Sequence, residues 1–177
     1  MKRLQGLISI VALTMVAGAA IAQDSHGHFD PTPYNFSFRL GIVWPSTDPL
    51  RAMENNWLSV GADYTFTKQF FHNSETYLSV DYIAKSGSGA QGTYWPILVN
   101  QKFYTGNRGE EARTYLTAGI GIVIFDVIKS DTVVGGKFGA GVEFSKQLFV
   151  EGNYFLSDAS QGNVRAQSFG VYIGYRF

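Results

Sequence analysis

Histidine and cysteine are scarce in this chain, which limits the chemistry that its side chains could perform. The histidines are His26, His28 and His72, and there is no cysteine. Without cysteine the chain has no disulfide framework, no thiolate zinc site and no thiol nucleophile. His26 and His28 lie close to Asp24 and Asp30 and could bind a metal only weakly, so we interpret them as part of a solvated tail. We therefore predict no metal and no cofactor.

The best candidate for catalysis is the segment His72-Asn73-Ser74, which Glu75 follows directly. A serine nucleophile needs a base that is oriented by a third group, and Glu75 is the only acidic residue nearby that could do this. The segment falls in a predicted turn between two strands. We predict that the protein is not an enzyme and keep a catalytic role for these residues only as an alternative.

Two binding functions are excluded by the sequence. Lys137 follows two glycines, as in a phosphate-binding loop, but Phe138 stands where that loop requires Ser or Thr, and Asp131 stands where it requires glycine. The 14 basic and 14 acidic side chains give a net charge of zero. A nucleic-acid-binding protein would show a basic excess, so nucleic acid is not an expected partner.

The first 22 residues have the pattern of a secretory signal peptide. Lys2 and Arg3 are followed by an apolar run, and Ala20-Ile21-Ala22 forms a small-x-small cleavage site. An uncleaved membrane anchor is the alternative, because the apolar run is nearly long enough to span a bilayer. We predict cleavage after residue 22 and a flexible periplasmic leader over residues 23–33, which contains Pro31 and Pro33.

The rest of the chain, residues 34–177, predicts a single domain of eight strands. Bulky apolar residues alternate with small or polar residues in each segment, as expected for strands with two different faces. The predicted strands are 34–43, 57–66, 75–84, 93–104, 113–125, 133–144, 147–156 and 166–177. Short, glycine-rich and proline-rich connections join them, so they must form an antiparallel meander, because parallel pairs need long crossovers.

Glycine indicates which face of the strands points inward. Glycine is a poor strand residue, yet it recurs opposite the bulky face, for example at Gly41, Gly61, Gly119 and Gly141. The interior of an eight-stranded barrel is barely wide enough for side chains and would require such small residues. The same face carries mixed charges, which predict a paired interior network of Arg39, Asp63, Asp81, Lys137, Glu143, Glu151 and Arg176.

Aromatic residues near the strand ends predict two girdles that would seat a barrel at the two lipid–water interfaces. The first contains Trp44, Trp57, Tyr82, Trp95 and Phe125, and the second contains Phe36, Phe66, Phe103, Phe144, Tyr175 and Phe177. Among them we single out Trp44, Trp57 and Trp95 as interface residues. Strands of about ten residues match a tilted crossing of the bilayer.

The C-terminal strand ends in Phe177, with Tyr175 and Ile173 at the preceding alternate positions. This ending resembles the targeting strand of bacterial outer-membrane β-barrel proteins, and the resemblance implies that the barrel assembly machinery recognises these residues. The Gly119-Ile120-Gly121 segment and residues 139–144 resemble the OmpA/OmpX-like outer-membrane β-barrel domain family. A periplasmic peptidoglycan-binding domain, as found in OmpA, is not expected after residue 177.

These observations predict an all-β, eight-stranded, up-and-down transmembrane barrel in the bacterial outer membrane, monomeric and in contact with outer-membrane lipid. We expect the connections at 44–56, 85–92, 126–132 and 157–165 to be extracellular, and those at 67–75, 105–112 and 145–147 to be periplasmic. The interior should be filled by side chains, so a structural or interaction role is predicted. The alternatives are a lipid-modifying barrel enzyme and a soluble, lipocalin-like periplasmic barrel whose bulky face points inward.

Overall fold

The protein folds into a closed antiparallel barrel of eight strands, β1 to β8, in a computed structural model that describes residues 31–88, 92–105, 112–127, 129–161 and 163–177. The predicted signal peptide lies outside these residues, as do residues 23–30 of the predicted leader with His26 and His28. The strands are Phe36–Pro45, Trp57–Lys68, Ser74–Lys85, Thr93–Thr105, Arg113–Asp126, Ser130–Glu143, Leu148–Ser157 and Ser168–Arg176.

Each strand pairs with its neighbours in the sequence, and the barrel closes where the first strand meets the last. Leu40 in the middle of β1 lies opposite Val60 of β2 on one side and opposite Ile173 of β8 on the other. The predicted fold class is therefore confirmed. We call the rim with Phe36 and Arg176 the terminal rim, because both ends of the barrel chain lie there, and the opposite rim the loop rim.

A short helix at the loop rim was not predicted. This helix, α1, spans Asp48–Met53, between β1 and β2, and has a proline in its first turn, where the missing N–H costs nothing. Leu50 of α1 is fully buried. The Thr47 hydroxyl donates a hydrogen bond to the Arg165 carbonyl at 3.1 Å, which ties this connection to the one before β8. None of the helices described is long and apolar enough to cross a membrane.

The bulky apolar face points outward along the strands. In β8 the residues Phe169, Val171, Ile173 and Tyr175 are exposed, and the alternating residues between them are buried. Such an exposed apolar surface suits lipid rather than water, because in water it would be left unburied. The soluble barrel alternative is wrong, since it requires these side chains to converge on a central apolar core.

The prediction of interface aromatics is wrong for Trp57 and, in the same girdle, for Phe125. Trp57 is 0% exposed and points into the barrel. Its indole N–H donates to the Glu54 carbonyl at 2.9 Å, and its ring lies 5.7 Å from that of Tyr94. For both Trp57 and Phe125 the prediction rests on their nearness to a strand end. The direction of the Trp57 side chain follows the alternation of the strand, which places it on the inward face with Ser59 and Gly61.

Trp44 and Trp95 point outward at the same rim, as a girdle requires. The Trp44 ring stacks on Phe169 with centroids 6.0 Å apart, and the Trp95 ring lies 4.6 Å from that of Tyr82. Each pair joins neighbouring strands on the outer surface. These contacts place an aromatic layer around the loop-rim end of the apolar band, where tryptophan and tyrosine prefer a lipid–water interface.

The interior near the loop rim is an apolar cluster, which we call the loop-rim cluster. Its strand members include Val43, Trp57, Tyr94, Phe125, Phe155 and Tyr172, and the connections add Leu50, Val164 and Ala166. Burial of these side chains provides a hydrophobic driving force for folding the connections inward. The barrel is thereby filled at this end.

Two glycines on opposite faces give a matched test of the interior packing. A methyl group at Gly121, on the inner wall, would lie 2.1 Å from the Ile97 carbonyl oxygen, whereas one at Gly152, on the outer wall, would lie 3.7 Å from the Phe169 ring. We expect Gly121→Ala to destabilise the barrel by about 1–3 kcal/mol, because backbone cannot move aside as a side chain can. Gly152→Ala should stay within about 0.5 kcal/mol of the parent. Urea unfolding in detergent measures both, and equal costs would contradict the inward assignment of Gly121.

Candidate functional site: the charged barrel interior

The barrel encloses a balanced set of charges in its terminal-rim half and its middle. All seven predicted interior residues are buried, and three further charged residues are buried with them, which gives five cations and five anions. The cations are Arg39, Lys102, Arg113, Lys137 and Arg176, and the anions are Asp63, Glu75, Asp81, Glu143 and Glu151. Every strand contributes at least one of them.

Arg39 of β1 is the centre of this network. Its Nη2 lies 2.9 and 2.8 Å from the two carboxylate oxygens of Asp81 and 3.2 Å from Oδ1 of Asp63, and its Nη1 lies 2.9 Å from Oε1 of Glu151. The guanidinium also stands over the Tyr172 ring at 5.2 Å. A planar guanidinium presents several N–H donors in a fixed fork, so it can serve three carboxylates where a lysine could not.

Neutral side chains complete the shell around these carboxylates. The Tyr115 hydroxyl donates to Oε2 of Glu151 at 2.9 Å, and the Asn153 amide donates to Oε1 at 2.6 Å. The Ser37 hydroxyl donates to Oδ2 of Asp63 at 3.1 Å. Buried carboxylates are stable only when their oxygens are paired and hydrogen-bonded, and these donors meet that requirement.

A second cluster lies close to the terminal rim around Glu143. Arg113 Nη2 contacts Glu143 Oε2 at 2.9 Å, and Arg176 Nη2 lies 2.6 Å from the other carboxylate oxygen. The Arg113 guanidinium stacks on the Tyr104 ring at 3.6 Å, and that of Arg176 stands 4.7 Å from the Phe149 ring. One carboxylate therefore joins cations from β5 and β8.

The two buried lysines are surrounded by rings. The Lys102 ammonium lies 4.9, 4.4 and 5.3 Å from the ring centroids of Tyr77, Tyr115 and Phe149. The Lys137 ammonium lies 5.4 Å from the Tyr77 ring, and within the described residues it has no hydrogen-bond partner. Ring faces attract cations, so both lysines are stabilised in part by cation–π interactions.

The candidate catalytic residues of the β2–β3 turn do not converge. Glu75 is buried inside the barrel, where it accepts hydrogen bonds from the Tyr104 hydroxyl at 2.8 Å and the Thr32 N–H at 2.5 Å. Ser74 Oγ donates to the Phe71 carbonyl at 2.7 Å and accepts from the Phe71 N–H at 2.9 Å. His72 is exposed on the turn. The serine hydroxyl thus holds the turn, and Glu75 faces away from His72.

Thr32, in the predicted flexible leader, is buried against the barrel interior through this contact with Glu75. Among the residues that the structure describes, no group of three acidic or histidine side chains could hold a metal ion.

Three charged members of the site, Glu75, Lys102 and Arg113, were absent from the predicted network. Strand alternation could have identified all three, because residues an even number of positions apart in a strand share a face. Glu75 shares the inward face with the predicted Asp81, and Arg113 shares it with the small residue Thr117. In β4 the signal was obscured by Pro96 and Leu98, which are inward residues but not small or polar.

The predicted assembly residues lie on the outward face of β8. Ile173, Tyr175 and Phe177 are exposed, and the Phe177 ring lies 5.4 Å from that of Phe36. The Phe177 N–H donates to the Phe36 carbonyl at 3.0 Å, which extends the pairing of the last strand with the first. An alternating apolar row therefore remains accessible at the terminal rim.

Solved structures of outer-membrane barrels share this fold. The outer membrane enzyme PagL matches with a TM-score of 0.62 at 13% identity, covering 80% of this chain and 99% of PagL. The N-terminal β-barrel domain of Pseudomonas aeruginosa OprF matches with a TM-score of 0.50 at 14% identity, covering 80% and 97%. Neisserial surface protein A matches with a TM-score of 0.50 at 9% identity, covering 81% and 97%. At such identities the similarity concerns the fold alone.

A comparison with curated protein sequences gave no match. A family model described as the outer membrane protein beta-barrel domain matches residues 8–177. The predicted resemblance to OmpA/OmpX-like barrels and the outer-membrane location are thereby confirmed. The chain belongs to the outer membrane protein β-barrel domain family.

Proposed function

We propose that the protein is a closed, non-conducting barrel of the outer membrane with a structural or interaction role. The observation that carries this proposal is the filling of the interior at both ends. Ion-paired side chains around Arg39 and Glu143 occupy the terminal-rim half and the middle, and the loop-rim cluster occupies the other end. An eight-stranded barrel is only just wide enough for side chains, so this filling leaves no room for a wide water channel.

The connections support an orientation with the terminal rim in the periplasm. Those at 46–56 and 158–167 are the longest between the strands, and both lie at the loop rim. Outer-membrane barrels have short periplasmic turns and longer extracellular loops. In this orientation the loop rim, with α1 and the segment around Arg165, is the surface that can meet molecules outside the cell.

Ion conductance tests the closed barrel. Protein refolded into a planar lipid bilayer should show no steady ion current above that of protein-free membrane, because charged and apolar side chains obstruct the interior in series. The heat-dependent shift in gel migration that is typical of folded barrels should be used to verify folding before the recording. A steady, reproducible current from verified folded protein would contradict the proposal.

A further inference from the structure

The turn between β2 and β3 exposes two adjacent aromatic rings. Phe70 is 66% exposed, the highest value among the large apolar side chains described, and Phe71 is exposed beside it. Their rings meet edge to face with centroids 4.8 Å apart. We call Phe70 and Phe71 the turn pair. Water is an unfavourable environment for so much apolar surface, so these rings should be covered by something in the native setting.

Hydrogen bonds hold this turn in one conformation. The Gln69 N–H donates to the Ser74 carbonyl at 2.7 Å, and Ser74 Oγ is bonded to both the N–H and the carbonyl of Phe71. The Tyr104 N–H donates to the Asn73 carbonyl at 2.8 Å, which anchors the turn to β4. Gln69 and Asn73 have φ of 66° and 49°, in the left-handed region. The rings are therefore presented by a well-connected turn rather than by a loose loop.

The turn pair continues the outward apolar surface of the barrel. The Phe71 ring lies 5.9 Å from that of Phe103, which has the outward position of Trp95 and Val99 along β4 but is itself only 2% exposed. On β2 the outward side chain of Phe66 is also exposed. The turn pair thus adjoins the outer apolar surface that faces lipid. In a membrane that this barrel spans, the lipid headgroups lie at the level of the terminal rim.

The other described turn of the same rim has a different character. Between β6 and β7 the chain passes through Ser145 and Lys146, both exposed, and Ser145 Oγ accepts from the N–H groups of Gln147 and Leu148 at 3.2 and 2.9 Å. A charged side chain at its tip suits water. The tips of the two turns therefore differ, although Phe144, which precedes the polar tip, is also exposed.

We propose that the β2–β3 turn inserts Phe70 and Phe71 into the boundary between headgroups and acyl chains of the glycerophospholipid leaflet at the terminal rim. Phenylalanine is among the apolar side chains that bury at the boundary between headgroups and acyl chains. The occupant is the membrane itself, and the turn acts as a membrane-embedded anchor on one side of the rim, while the β6–β7 turn remains in water. The choice of the glycerophospholipid leaflet rests on the proposed periplasmic orientation of this rim, and the role is independent of whether the barrel conducts.

A spin label placed beside the pair tests the insertion. The chain has no cysteine, so His72→Cys provides a single attachment point that leaves both phenylalanines in place, and Lys146→Cys is the matched position on the polar turn. Both proteins are refolded into vesicles of phosphatidylethanolamine and phosphatidylglycerol. We expect collisions of the label with a water-soluble nickel chelate to be several-fold less frequent at residue 72 than at residue 146. Equal collision rates would place the turn in water and overturn the proposal.

The double substitution Phe70→Ser and Phe71→Ser, made in each labelled protein, tests whether the rings are the cause. We expect the protection of residue 72 to be lost and the value at residue 146 to be unchanged. Persisting protection at residue 72 would show that the pair does not insert the turn and would also overturn the proposal. Gel migration before and after heating verifies that each variant has folded.

Discussion

Replacing Arg39 with methionine should destabilise the folded barrel by about 3–5 kcal/mol, because it removes one partner from a buried ion network. Arg39 contacts Asp63, Asp81 and Glu151, and all three carboxylates are almost inaccessible to solvent. Without the guanidinium, three negative charges would remain together inside the barrel. Urea unfolding in detergent, followed by the heat-dependent gel shift, measures the change in the free energy of unfolding.

Two further variants give this measurement its controls. Arg39→Lys keeps the positive charge but loses the forked N–H donors of the guanidinium. It should therefore lower the free energy of unfolding by less than Arg39→Met does, but remain destabilising. Adding Glu151→Gln to Arg39→Met should cost less than the sum of the single changes, because the two residues are in direct contact. A loss below about 1 kcal/mol for Arg39→Met, the value typical of solvated surface pairs, would show that water reaches the network.

Leu40→Arg should cost about 2–4 kcal/mol, the effect of a cation at the lipid-facing midplane of an outer-membrane barrel. Leu40 is 49% exposed and lies near the middle of β1, on the opposite face from Arg39. The arginine would have to leave water for the acyl chains. Reversible urea unfolding in lipid vesicles is the appropriate measurement, since detergent does not reproduce the depth of a bilayer.

A residue at a different depth in the bilayer provides the control for this prediction. Tyr64 also faces outward but pairs with Phe36 at the end of β1, near the terminal rim. Tyr64→Arg should cost only about 0–1 kcal/mol, because a cation there can reach the interface. If the two arginines cost the same, the outer surface would not lie across a bilayer in the orientation assigned to it.

The positions of the strands and the direction of their faces could be predicted because the two faces differ strongly in side-chain size and polarity. In β8 a bulky residue alternates with a small or polar one from Phe169 to Phe177, and the structure preserves this alternation. The inward position of Arg39, Glu151 and the other predicted charges follows from the same rule, since their backbone positions fix the direction of the side chain.

Contacts across the interior could not be predicted in this way. Arg39 of β1 meets Glu151 of β7, although β8 separates these two strands in the sheet. Which side chains meet across a barrel depends on its diameter and on the stagger of its strands, and alternation reports neither. The helix α1 was missed because it has only six residues, too few for a helical periodicity. The prediction for Trp57 is wrong because strand alternation, not nearness to a strand end, sets the face on which a side chain lies.

The distribution of charge over all eight strands has a consequence for biogenesis. A hairpin or an incompletely paired sheet would carry ionised groups whose counterparts are still missing, since Arg39 of β1 meets Glu151 of β7 across the closed barrel, with β8 between the two strands. The interior ion pairs are complete only when β1 has paired with β8. Partly assembled forms are therefore disfavoured among the acyl chains, because they would carry unpaired charges there. We expect insertion into the bilayer and closure of the barrel to occur as one cooperative event.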